Sequence, residues 1–198
     1  DMPGAPDRLE QGVGETQRHQ VLYGFFTQVV VDAEHPRLIE HRADGGIDVT
    51  WKLRPGVKWH DGVPHTSADV KFTVAAINKG DWKPESVDGF DRIASVDTPD
   101  SLTAVVHYKE VYAPYQLQFV RGTLPKHVLE GRDLNTANDY NRAPLGTGPY
   151  KVKEWKTGEY ILLERAEGYW RGPQYPKIKQ LLFRFLTNTT TRINLLKS

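Results

Sequence analysis

The sequence contains no cysteine. A disulfide framework, a thiol nucleophile and a thiolate metal site are therefore excluded. It also lacks a dominant charge: 26 Lys and Arg stand against 25 Asp and Glu, so no single-sign field marks it for nucleic acid. Long apolar runs are missing too. Stretches such as Val29-Val30-Val31 fall far short of the roughly 20 residues that cross a bilayer. The start, Asp1-Met2-Pro3, has no basic and then apolar leader, so an exported protein would carry its leader outside this sequence. No Gly-x-Ser-x-Gly motif occurs and there is no internal repeat or low-complexity tract. What remains is a chain of 198 residues, 38% hydrophobic and 26% charged, long enough for one or two domains with a real core.

The most ordered pattern runs from Thr50 to Phe72. Val49, Trp51 and Leu53 alternate with Thr50, Lys52 and Arg54, the period of a half-buried strand. Pro55-Gly56 and Asp61-Gly62 supply turns around Val57 and Trp59, so the whole is expected to form a hairpin. Thr66 or Ser67 then caps a helix, with Asp69 in the place of a capping-box Glu, and Val70, Val74 and Ile77 form its apolar side. Further on, residues 90–96 and 102–108 read as strands around a turn at 97–101. A short helix starts at Ala113-Pro114, and another helical turn has Pro125 at its first position. Residues 133–143 read as irregular. Strands follow at 150–155, 160–165 and 178–186, and a helix capped near Thr189 closes the chain. Residues 21–31 read as a helix running into a strand.

Several patterns suggest chemistry and fail on inspection. His60-Asp61 are adjacent strand residues that point to opposite faces, and Asp-Gly is a turn signal, so a structural role is expected. Gly146-Thr147-Gly148 lacks the third glycine and the following helix of a phosphate loop, and reads as a glycine-pinched turn. His35 and His41 lack zinc-helix spacing. Asp133-Leu134-Asn135-Thr136-Ala137 begins like a calcium loop and breaks at its fifth position. No metal or cofactor is expected.

Four blocks resemble the family 5 extracellular solute-binding proteins, the receptors of peptide, nickel and opine importers. They are Leu53-Arg54-Pro55-Gly56-Val57-Lys58-Trp59-His60-Asp61-Gly62 with Ala68-Asp69-Val70, Leu124-Pro125-Lys126-His127-Val128, Pro144-Leu145-Gly146-Thr147-Gly148-Pro149-Tyr150, and Leu163-Glu164-Arg165 with Tyr169-Trp170-Arg171-Gly172. A fifth, Thr189-Thr190-Thr191-Arg192-Ile193-Asn194, resembles the start of a later helix. The resemblance implies a mixed α/β fold, a type II periplasmic-binding-protein lobe with an inserted α+β accessory domain. Residues 1–27 and 119–198 would form part of lobe I, and 28–118 the insert. Members of the family are more than twice as long, so the second lobe is expected to be missing here. The Gly-Glu-Ile-Asp continuation usual after Lys-Ser is absent, as is the customary first strand.

The function implied is non-catalytic capture of an oligopeptide or related small solute for a membrane permease driven by ATP, in the periplasm or on an extracytoplasmic membrane anchor. A solute-sensing domain of a transcriptional regulator is the alternative. Self-association through an exposed interlobe face is a further expectation. Solute contacts are expected at Phe25, Phe26, Thr27 and Gln28, at Tyr115, Phe119, Arg121 and Gly122, and at Thr187 and Asn188, where aromatic walls meet amides and hydroxyls. Each of these residues equally admits a core or capping role. Trp51 and Trp59 read as core, and the resemblance makes Tyr169-Trp170 structural.

Overall fold

A computed structural model describes residues 38–82, 86–119, 122–186, 188, 190, 193 and 194. The reading of 21–31 lies outside these residues, and so does most of the closing helix, of which 190, 193 and 194 are described and helical. The first half is a four-stranded antiparallel sheet in the order β1-β2-β4-β3, built from β1 (Leu38–His41), β2 (Ile47–Lys52), β3 (Ile93–Asp100) and β4 (Thr103–Tyr108). Period-two alternation puts Ile47, Val49 and Trp51 on one face of β2. The register sets them opposite Tyr108, Val106 and Ala104, and all six are buried. The helix α1 (Ser67–Lys79) lays Val70, Val74 and Ile77 on the same cluster. Each large side chain taken out of water in this way stabilises the layer pair by about 1.5–3 kcal/mol before entropy is counted.

The start of α1 follows from its capping sequence. Thr66 N–H donates to Asp69 Oδ2 at 2.9 Å, the reach-back bond of a capping box. The same buried carboxylate accepts from Trp59 Nε1 at 3.3 Å and from Lys126 N–H at 2.9 Å. It therefore fixes the helix start, the segment before it and the start of α2 (Lys126–Leu129) together. At the other end, Gly80 takes a left-handed conformation (φ +77°) and its N–H donates to Ile77 O at 3.0 Å.

The outer face of the sheet is polar. Asp48 accepts from Arg42 and pairs with His107 Nδ1 at 2.8 Å, while His107 Nε2 reaches Asp97 at 3.2 Å. Burial pushes the Asp48 carboxyl up, but hydrogen bonds from His107 and Arg42 outweigh it and hold it below the usual carboxylate range.

The second half holds a three-stranded antiparallel sheet, β5 (Tyr150–Lys156), β6 (Tyr160–Arg165) and β7 (Gln180–Arg184), in that order. Tyr150, Ile161 and Leu163 form its buried centre, with Val152, Trp155, Leu181, Phe183 and Phe185 half-buried beside them. No described helix is long and apolar enough to cross a membrane.

Four expectations need correction. Residues 49–60 are not one hairpin. β2 pairs with β1 and β4, and residues 57–65 close on themselves instead, with Trp59 N–H donating to Val63 O at 2.8 Å and His65 N–H to Val57 O at 3.0 Å. β3 runs on through the expected turn to Asp100, with an irregular register after Asp97. The expected irregular stretch contains the short helix α3 (Asn138–Arg142). Pro125 is the cap of α2, not its first helical residue.

Candidate functional site

After β4, the described residues 112–119 and Gly122 lie beside the first sheet's core. Tyr112 stacks on Tyr108, centroids 5.8 Å apart at 24°, and carries Arg92 over its ring at 5.5 Å. Pro114 suits the first turn of the 3-10 helix Ala113–Leu117 that follows. Three residues per turn put Pro114 and Leu117 on one side of this helix. That side lines a cleft of about 380 Å³, together with Thr73 and Ile77 of α1, Trp82, Asp88, Phe90, Tyr112, Gln118 and Gly122.

The described members of the expected site divide between two faces. Tyr115 is half-buried and packs against the core, and Phe119, only 3% exposed, sits edge-on to Trp51 at 5.2 Å and Phe90 at 6.1 Å. Gly122 lines the cleft; its φ of +88° and its N–H bond to Phe119 O at 2.9 Å make it the residue that ends the segment. Asn188 lies exposed beyond β7 and is not a lining residue. Phe25, Phe26, Thr27, Gln28, Arg121 and Thr187 lie outside the described residues. Leu117 and Gln118, which fall within the expected Tyr115–Gly122 segment but are not among its named contacts, both line the cleft. Leu117 is 65% exposed, and Gln118 is buried with its Nε2 on Asp88 O at 3.3 Å.

A second arrangement joins the two halves. His60 projects from the small 57–65 loop onto the Gly146-Thr147-Gly148 turn. Gly146 N–H donates to His60 Nδ1 at 3.2 Å, His60 Nε2 meets Gly148 O at 2.9 Å, and His60 N–H donates to Gly146 O at 2.9 Å. A backbone N–H can only donate and a carbonyl can only accept. The ring must therefore be the neutral tautomer with its proton on Nε2. Burial is the main reason the imidazole is held below its ordinary pKa, with Lys151 adding to it against Gly148 O and Asp61. Next door Asp61 pairs with His127 Nε2 at 2.8 Å; the two adjacent residues lie in a turn, not in a strand as expected, and engage different partners. Trp170 completes the junction, with Arg54 over its ring at 4.9 Å and Arg171 at 5.2 Å. Among the described residues, no group of three His, Asp or Glu side chains could hold a metal ion.

Comparison with known proteins decides what kind of chain this is. The sequence profile of "Bacterial extracellular solute-binding proteins, family 5 Middle" matches residues 34–198. The chain belongs to this family. Among its family 5 relatives, the oligopeptide-binding protein AppA of Bacillus subtilis is 36% identical over 138 residues, covering 67% of this chain and 25% of AppA. The structure of AppA in complex with a nonapeptide matches with a TM-score of 0.74 at 25% identity, covering 90% of this chain and 37% of that one. NikZ from Campylobacter jejuni in complex with Ni(L-His) matches with a TM-score of 0.73 at 28% identity, covering 87% and 36%. The mixed α/β fold is thus that of family 5 binding proteins, and the chain spans 25–37% of the length of these relatives.

Proposed function

We propose that this chain works within the solute-binding component of a bacterial ABC importer, capturing a peptide-like solute and presenting it to a membrane permease. The observation that carries this reading is the backbone it shares with a family 5 protein holding a nonapeptide. Relatives named as binding proteins support a receptor rather than an enzyme. Capture proceeds by closure of two lobes, with affinity coming from contacts made only in the closed state. Residues 1–27 and 119–198 contribute to one lobe and 28–118 form the insert, so the Tyr112–Gly122 segment runs from insert to lobe. Its cleft wall (Leu117, Gln118 and Gly122), together with Phe25–Gln28, Arg121, Thr187 and Asn188, forms this chain's share of the solute-facing surface. The compartment is the periplasm or the outer face of the cytoplasmic membrane.

Thermal unfolding of the whole gene product with a panel of di- to nonapeptides tests the reading. A peptide present at about 100 times its Kd should stabilise the protein by about 2.7 kcal/mol, a clear rise in midpoint. If nickel–histidine or an opine raises the midpoint and no peptide does, the substrate class changes. If no solute of any kind shifts it, the receptor reading fails.

A further inference from the structure

We infer that the 57–65 loop is an acid-released latch, closed on the Gly146-Thr147-Gly148 turn by a His60 ring that must be neutral. His60 Nδ1 is the acceptor for an obligate donor, Gly146 N–H at 3.2 Å. A proton placed on Nδ1 sets N–H against N–H, so one bond of the latch is lost and a charge appears in a half-buried position. The surroundings do little to compensate. Among the described residues, the Gly146-Thr147-Gly148 turn contributes no titratable side chain, β5 presents the cation Lys151, itself paired with Glu164 of β6 at 3.2 Å, and the acid acting on the ring is Asp61, which is already engaged by His127 at 2.8 Å.

A second histidine on the same loop acts in the same direction. His65 is 2% exposed, packs edge-on to Trp59 at 5.5 Å and meets Thr123 Oγ1 through Nε2 at 3.0 Å. Its Nδ1 is buried without a partner, and burial lowers its pKa against the opposing pull of Asp69. The loop is therefore pinned through His60 to the turn that introduces the second sheet, and through His65 to the segment just before α2. The His60 pin requires an acceptor on Nδ1, whereas the Thr123 hydroxyl can donate or accept, so for His65 it is the burial of the ring that disfavours the charge.

The sign follows directly. Both histidines are held below the ordinary value of about 6.5, so their contribution is wholly present above that pH and drains away as pH falls towards their folded values. The device couples the two sheets at neutral pH and loosens them in acid.

Ring-nitrogen NMR of the wild-type chain, with amide exchange at Gly146, tests it. The expected result is an Nε2–H tautomer for His60 and a midpoint below about 6.5. Gly146 should lose exchange protection across that same midpoint while Val106 in the first sheet keeps its own. An Nδ1–H tautomer, a midpoint at or above the free value, or unchanged protection at Gly146 overturns the latch. His60→Asn supplies a second check, because its amide oxygen can accept from Gly146 without titrating. Gly146 protection in this variant should no longer change between pH 7.5 and 5, and a change as large as in wild type also overturns the proposal.

Discussion

The two sheets are built from strands of similar length and differ in what covers them. In the first, β2 and β4 match buried residue to buried residue across the register, and α1 closes the face, leaving Val49, Val106 and Tyr108 with essentially no exposed surface. In the second, Leu163 reaches that state, whereas Phe183 and Leu181 opposite β6 are half-buried and Leu182 is 56% exposed. Stability should therefore be unequal along one chain, with the first sheet setting the global barrier and the second opening below it. On the proposed reading as part of a solute receptor, such a division suits closure, because a rigid layer pair can hold a softer one in place.

The sharpest test compares equivalent truncations. Trp51→Ala removes an indole packed against Phe119 and under α1, and should cost about 3–5 kcal/mol in chemical denaturation. Phe183→Ala, half-buried on the second sheet, should cost about 1–2 kcal/mol, because water already reaches part of the ring. Equal losses would break the comparison. The next effect in size belongs to Asp69. Asp69→Ala leaves Trp59 Nε1, Thr66 N–H and Lys126 N–H without their acceptor, and should cost about 3 kcal/mol. Asp69→Asn, which keeps an acceptor oxygen, should recover roughly half of that. A loss below about 1 kcal/mol for the alanine variant would mean that water replaces the carboxylate readily.

Much of this was legible in the residues. The alternation in Val49–Leu53, the Thr66/Asp69 cap and the strand pair around 157–158 are local patterns, and local geometry decides them. The misread hairpin has a different cause. Residues 57–65 look like the partner of β2, but β4 comes from 51 to 61 positions away to take that edge, and a long-range pairing leaves no local trace. The α3 turn was missed because Asn138-Asp139-Tyr140-Asn141 favours turns by propensity, whereas Tyr140 is buried in the cluster around Leu124 and Leu129. The site was half legible. The Tyr115–Gly122 segment could be named, but a 3-10 helix rather than an α-helix decides which side Leu117 and Tyr115 face, and hydrophobicity does not distinguish the two. His60 showed a role only as a structural residue. Its partners are backbone atoms of glycines, and no side-chain pattern announces them.

The smallest expected effect concerns the junction between the regions. Apart from the His60 latch, that junction includes Arg54 laid on the ring of Trp170, with Arg171 also over the ring at 5.2 Å. Arg54→Ala alone should cost only about 0.5–1 kcal/mol, the range for a partly solvated cation on an aromatic face. Truncation also removes the aliphatic stem, so the single variant does not isolate the contact. A double-mutant cycle with Trp170→Ala does, and its coupling energy should fall near 0.5 kcal/mol, lowered because Arg171 remains to shield the ring. A coupling of zero would leave the latch as the main tie between the sheets, and acid should then separate their exchange behaviour completely. A coupling above about 1.5 kcal/mol would exceed what one exposed cation contact supplies. The two sheets would then be more tightly joined than their unequal burial implies, and the second should unfold with the first rather than before it.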